Sequence, residues 1–345
     1  MDVQLKRTAY TLIELLIVVA IMAILVALSL VAVKRVTEGG RAREASRQLT
    51  AYFEMARARA VLINRPCGVS FKCVRPIGAG PTIRMATECT LAEYPPPFSG
   101  STTSALAKVQ EMPPGSNSHY FVIVGPQYPP QIDANEMAFL ASIIPDGAMF
   151  LVKFGFGGEW HTFRRQGAQY PYVRPPTIGV LPPGFSNARA QGVLFQIRRM
   201  PERVGSPIEL NRGIAVDLTY SGVGRTGQQF GAAQNSITIL FNPGSDVEGI
   251  YIDNNAPLAA TGTIYLLLGK IEKVGEVPPI DPVWVDKTIA NISDSDALWV
   301  SIGARTGIPM TNDNMTNENV NPTGLSQYIS ATRTSATDRQ RADAP

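Results

Sequence analysis

The sequence predicts an α+β protein: a long amino-terminal helix, transmembrane over residues 15–33, packed on an antiparallel β-sheet domain in a lollipop shape. Three observations predict it. Leu15 to Val33 is an uncharged run of 19 residues in which Ser29 is the single polar member. From Lys34 to about Asn64 a helical period continues in polar form. After Pro66 the period becomes strand-like, and Pro and Gly punctuate the rest of the chain.

Residues 1–9, MDVQLKRTA, form a short polar leader with Lys6 and Arg7. The apolar run that follows spans roughly 28 Å as a helix, about one hydrocarbon core. A secretory signal core is shorter and ends at a small-residue cleavage site followed by unrelated sequence. Here the run passes straight into a second helical pattern, so a single spanning helix over residues 10–64 is the simpler reading. Glu14 stands at the edge of the apolar run. A carboxylate inside a membrane costs on the order of 2.5–3.5 kcal/mol at the centre and less near an end, so it needs a partner. A cut between Ala9 and Tyr10 would place a new α-amine about one helical turn from Glu14. The amine of a neighbouring subunit could then neutralise it.

Ala42, Ala45, Leu49, Phe53, Ala56 and Ala60 recur at spacings of three and four, one face of a helix made to pack on the β domain. Arg41, Arg43, Arg47, Arg57 and Arg59 occupy the other faces. Gly39-Gly40 costs ~1 kcal/mol per Gly relative to Ala and leaves two readings open, a kink or a tolerated irregularity. Residues 65–305 form the β-rich domain. Strands are expected at 67–74, 82–90, 119–124, 148–154, 193–198, 213–220, 236–241, 249–252, 263–268 and 298–302, with a short helix at 134–144. From about Thr306 the chain is rich in Thr, Asn, Asp, Ser and Ala and reads as a flexible polar tail, 306–345.

The chain has 345 residues, 45% of them hydrophobic and 17% charged, with a net charge of +3. That balance calls for no nucleic-acid partner. Residues 34–62 hold seven Lys/Arg against three Glu, a solvated helix face or a contact for DNA or anionic headgroups. Gly222-Val-Gly224-Arg-Thr-Gly227 matches a dinucleotide fingerprint, but eight residues before the next strand leave no room for a crossover helix, so it reads as a loop. His119 and His161 lack a second metal ligand at a useful spacing. Asp313, Asn314, Asn317 and Glu318 lack the order and the Gly of a calcium loop. With no catalytic constellation, no metal set and no cofactor motif, the sequence is not read as an enzyme.

Leader, Thr11-Leu12-Ile13-Glu14 and apolar run together resemble the processing motif of type IV pilins and type II secretion pseudopilins. Thr11, Leu12, Ile13 and Glu14 match that motif; Ala9 stands for its usual Gly and Tyr10 for its usual Phe. The resemblance implies cleavage between Ala9 and Tyr10 by prepilin peptidase, N-methylation of Tyr10, and assembly through Glu14. It also implies an inner-membrane, single-pass protein with its carboxy-terminal domain in the periplasm, and other pilins or pseudopilins as filament partners. The passage from helix to strand at Arg65–Phe71, and the form strand, Phe241-x-Pro243-Gly244, strand, resemble the H-type minor pseudopilins. The function implied is a minor subunit of the periplasmic pseudopilus. The alternatives are a minor pilin of a type IV pilus and, in another class, a membrane-anchored enzyme or ligand-binding domain with a borrowed leader. Lys34, Arg35, Arg41 and Arg43 after the span outnumber Lys6 and Arg7 before it, opposite to the positive-inside bias. The motif takes precedence, because the family's peptidase acts on the cytoplasmic side.

Of the three cysteines, Cys67 and Cys89 are the expected disulfide, which an oxidising compartment would preserve. A hairpin centred on Gly78 sets residue 67 opposite residue 89 and Cys73 opposite Ile83. The competing pair, Cys73–Cys89, needs the centre at Pro81.

Overall fold

The computed structural model describes residues 12–78, 80, 83–111, 119–126, 131–155, 159–167, 170–173, 192–253, 255–276, 289–314 and 325–342. Of these, Glu14, 27–38, 111, 170–173 and 339–342 are described in backbone alone. Helix and antiparallel sheet are combined in it. Helix α1 (Leu12–Ile63) has 52 residues and is about 78 Å long. It is continuous through Gly39 and Gly40, so neither glycine breaks it. It ends where Asn64 takes a left-handed φ of 50° and Pro66 bars a further turn.

Three antiparallel sheets follow. Sheet A has the order β10 (Glu202–Glu209), β3 (Glu88–Glu93), β1 (Cys67–Lys72), β12 (Ser236–Phe241), β13 (Val247–Ile252). Sheet B has the order β16 (Pro309–Asp313), β15 (Leu298–Ile302), β14 (Ile264–Lys270), β11 (Ile214–Val223), β2 (Met85–Ala86). Sheet C has the order β4 (Leu106–Glu111), β5 (His119–Val124), β8 (Tyr170–Val173), β7 (Trp160–Gln166), β6 (Met149–Phe154), β9 (Phe195–Arg198).

One core joins α1 to sheets A and B. Its helical side is the stripe Ala42, Ala45, Leu49, Tyr52, Phe53, Ala56 and Ala60. Four alanines let the helix backbone approach the strands closely, and the large residues fill the gap between the sheets. Phe53 lies 6.0 Å from both Phe71 of β1 and Phe241 of β12, with an edge-on contact to the latter. Tyr52 Oη accepts a hydrogen bond from the Leu91 backbone N–H at 2.8 Å, which ties the helix to β3. Gly68 sits where β1 and β12 come closest: an added Cβ would lie 1.8 Å from the Ile239 carbonyl oxygen.

β3 and β10 are neighbours in sheet A, yet the chain between them builds all of sheet C and α2 (Ala134–Ile143). This insert has a core of its own, in which Phe121 contacts Phe150, Phe154, Phe163 and Phe195. Helix α2 starts at Asp133, whose carboxylate caps the Asn135 and Glu136 N–H groups. The buried Glu136 carboxylate accepts from the backbone N–H groups of Ser101 and Thr102, pinning α2 to that loop. The insert rests on the outer face of sheet A. There the Arg198 guanidinium lies between the rings of Tyr94 and Trp160, 4.8 and 4.6 Å from their centres, and pairs with Glu248 at 3.1 Å. The Tyr94 and Tyr251 hydroxyls share a hydrogen bond beside it.

The polar tail expected from 306 is corrected: it contains a strand and a helix. β16 pairs with β15 along its whole length, and α3 (Leu325–Ala342) buries Ile329, Thr332, Arg333 and Ala336 on sheet B. The reason is compositional. An edge strand bonded on one side needs few apolar residues, and α3 docks through an arginine where a hydrophobe would be expected.

Replacing Phe53 by Ala empties the meeting point of helix and sheets. Chemical denaturation of the β-rich body should show a loss of about 3–5 kcal/mol, the usual range for a buried Phe.

Candidate functional site

The first part of α1, residues 12–26, is largely exposed. Leu12 is 82% exposed, and Leu15, Leu16, Ile17, Val18, Val19, Ile21, Met22, Ile24, Leu25 and Val26 are all more than half exposed. Among the described side chains of α1, the buried ones begin at Ala42. A helix that is apolar all round is not at rest in water; it requires lipid or other helices. Among the described residues no helix is long and apolar enough to cross a membrane. The last seven residues of the expected span, 27–33, lie outside the described side chains. So does the Glu14 side chain, although its backbone is helical, and Ala9 and Tyr10 lie outside the described residues altogether.

The register corrects the expected Cys67–Cys89 disulfide. In the β1–β3 ladder Cys67 faces Glu93, and Cys89 faces Phe71. The two cysteines are thus offset by four residues, about 13 Å along the strands, whereas a disulfide needs Cα atoms within about 7 Å. β1 and β3 do not form a simple hairpin. The chain between them leaves sheet A to pair β2 with β11, and Val74 bridges Met85 on the way. This detour moves the mirror point from Gly78 towards Gly80. All three cysteines are free and buried in the α1 core. Burial, aided by the Glu93 charge, pushes the Cys67 thiol up to about 11; burial pushes Cys73 and Cys89 up to about 12. These are small hydrophobes rather than nucleophiles.

The remaining motifs are structural. Gly222 to Gly227 runs from the last two residues of β11 into a turn, with the Gln229 side chain accepting from the Val223 N–H at 2.9 Å. An added Cβ at Gly222 would lie 2.3 Å from the Gly227 carbonyl oxygen, so the glycines serve the turn itself. His119 is buried in sheet C. His161 is half-buried in β7, and burial lowers its pKa against the opposing pull of Glu159. Asn314 accepts from the Trp299 indole N–H at 3.0 Å and donates to the carbonyls of Asn291, Ile292 and Asp294. Asp313 lies in β16, and Asn317 and Glu318 lie outside the described residues. Among the described residues no group of three or more His, Cys, Asp or Glu could hold a metal ion. Tyr52 and Arg333 are structural anchors that periodicity alone missed.

Native protein at pH 8 should leave all three thiols unreacted with an aromatic disulfide reagent over hours, and release three equivalents once unfolded in denaturant. Fast labelling of the native state at any of them would contradict the burial.

Residues 5–30 match the family model described as the prokaryotic N-terminal methylation motif. No curated protein and no solved structure matches the chain. The matched stretch holds Lys6, Arg7, the Ala9–Tyr10 junction, Glu14 and most of the apolar run, and it includes the exposed apolar residues 12–26 of α1. This motif points to a structural, membrane-anchored protein processed by prepilin peptidase and assembled with pilins. Residues 5–30 carry a prepilin-type methylation motif, the feature by which this chain is similar to the type IV pilin-like proteins.

Proposed function

We propose that this chain is a minor pseudopilin of a type II secretion system, of the H type, built into the periplasmic pseudopilus that moves folded proteins outward. The observation that carries the reading is the division of α1. Its first half carries most of the leader motif and exposes the apolar side chains of residues 12–26, while its second half packs one face on a β body. Such a rod anchors the subunit in the inner membrane before assembly and packs against other rods afterwards, with the β domain held in the periplasm. The β12–β13 hairpin, whose turn includes Pro243 and Gly244, is in keeping with the H-type form.

Glu14 is the register device in this reading. Apolar packing alone permits axial sliding. The α-amine of Tyr10 from a neighbouring subunit, freed by cleavage after Ala9, would meet the Glu14 carboxylate in the apolar filament core. Leaving that carboxylate unpaired is costly, so only one stagger of the helices is stable. In bacteria lacking this chain, failure to export folded proteins while surface pili persist is the expected result. Loss of pili with export intact would replace this reading by that of a type IV minor pilin.

Mass spectrometry of the membrane-extracted protein should find a mature chain beginning at Tyr10 with a methylated α-amine. An intact Met1 terminus in cells with active prepilin peptidase would overturn the processing step.

Glu14→Ala should leave insertion and cleavage unchanged and reduce cross-linking into pseudopilus complexes at least about tenfold, since a ~1.4 kcal/mol loss already gives that factor. Glu14→Asp should recover part of it. Undiminished incorporation of the Ala variant would remove Glu14 from this role.

A further inference from the structure

Asp217 stands within β11 and is fully buried. The β11–β14 ladder shifts register between Asp217 and Gly222. In that irregular stretch the Ser221 hydroxyl donates to the Asp217 carbonyl at 2.6 Å and accepts from the Leu267 N–H at 3.0 Å. The Asp217 carboxylate meets two other segments. Its Oδ1 accepts from the Thr219 N–H at 3.1 Å; its Oδ2 accepts from the Gly275 N–H and from the Asn291 amide, each at 3.2 Å. Gly275 belongs to the segment that leaves β14, 271–276, and Asn291 to the segment that leads into β15, 290–296. Gly275 reaches the carboxylate with a left-handed φ of 74° and with no room for a Cβ beside Ile83. The Asn291 side chain is fixed in its orientation: its Oδ1 accepts from the Lys270 N–H at 2.8 Å, so its NH2 is the group that faces Asp217.

All three groups aimed at the carboxylate are donors, and they favour its charged form. Burial favours the neutral form. Among the described residues no cation pairs with Asp217. Lys273 Nζ lies 2.6 Å from Asp294, Lys270 Nζ lies 3.9 Å from Asp294 and 3.8 Å from Asp296, and Arg84 donates to the carbonyls of Ile83 and Ala233. The other titratable groups around it, Tyr220 and Glu276, bring no positive charge. Burial prevails and pushes the Asp217 pKa up to about 6, against the pull of Gly275, Asn291 and Thr219. A carboxyl freed into water titrates at about 4. The second segment also reaches α1: Asp296 Oδ1 stands 3.6 Å from the place a Cβ on Gly39 would take.

We propose that Asp217 is a proton-controlled clamp, which holds segments 271–276 and 290–296 firmly on sheet B and against α1 at Gly39 when protonated and loosens them when ionised. The closed clamp binds a proton more readily than the open one. Its hold is therefore complete below the pKa of the freed carboxyl, about 4, and is lost as pH rises through about 6. Between pH 5 and pH 7 the opening equilibrium rises about tenfold. The clamp lies wholly within the β body and does not depend on the pseudopilin reading.

Hydrogen–deuterium exchange of the full chain in detergent, at pH 5 and pH 7 and with intrinsic exchange rates divided out, tests the clamp. Amides of 271–276 and 290–296 should be about tenfold less protected at pH 7 than at pH 5. At both pH values they should be less protected than those of 237–241; equal protection would mean that they open only with the whole body and would overturn a local clamp. Asp217→Asn, which cannot ionise, should abolish the pH step. A step that persists in this variant, or no step in the unaltered chain, overturns the proposal. Asn291→Ala removes one donor to the charged form, so the midpoint of the step should move to higher pH. A merely structural role for Asn291 would lower protection equally at every pH. Should Asp217→Asn fail to fold, the Asn291→Ala midpoint decides, and an unmoved midpoint overturns the clamp.

Discussion

The body of the protein closes around one stripe of α1, and the other packing relations follow from it. Residues 42–60 lie between two sheets that share their hydrophobic core through the helix. The alanines set the distance of approach, and Leu49, Tyr52 and Phe53 set the width of the space between the sheets. Because that stripe is consumed by the body, the helix has nothing of its own left to cover residues 12–26. One helix therefore serves two environments. The methylation motif falls largely on the half whose burial must come from elsewhere.

The insert between β3 and β10 follows a different rule. Its phenylalanine core lets sheet C form without support from α1, and it enters and leaves through adjacent strands of sheet A. Such an insertion leaves the host ladder intact, since β3 and β10 still pair on either side of a local irregularity. What fixes the insert against its host is mainly the Arg198 stack between Tyr94 and Trp160, with Glu248 as counter-charge. Sheet B uses the same device for α3, with Arg333 against Tyr265 and Trp299 but with no carboxylate partner among the described residues. A planar cation can stack on two rings at once, which a lysine ammonium does poorly.

The register of β1 shows how one short strand redirects local chemistry. β2 is only two residues long, yet its pairing with β11 pulls the chain out of sheet A before β3 begins. The cysteines are thereby separated along the ladder and enclosed in the core, where desolvation disfavours thiolates. The same two residues link sheet B to sheet A close to α1.

The sequence by itself determined the elements whose signal is local. The leader, Glu14 and the apolar run are contiguous, and the stripe from Ala42 to Ala60 is visible because helical period and burial coincide. Strands with buried apolar residues, such as β5, β12 and β15, were legible for the same reason. β10 was not: seven of its eight residues are exposed, so Glu202 to Glu209 carries no alternation to read. β7 was hidden by its polar face, and α3 by its reliance on Arg333. The tertiary structure alone decided the cysteine register, the separate core of the insert and the seat of α3. Each depends on a partner distant in sequence: β11 for the cysteines, β10 for the insert, and Tyr265 with Trp299 for α3. Periodicity reports whether a residue faces a core, and it carries no information about which strand or ring supplies the other side.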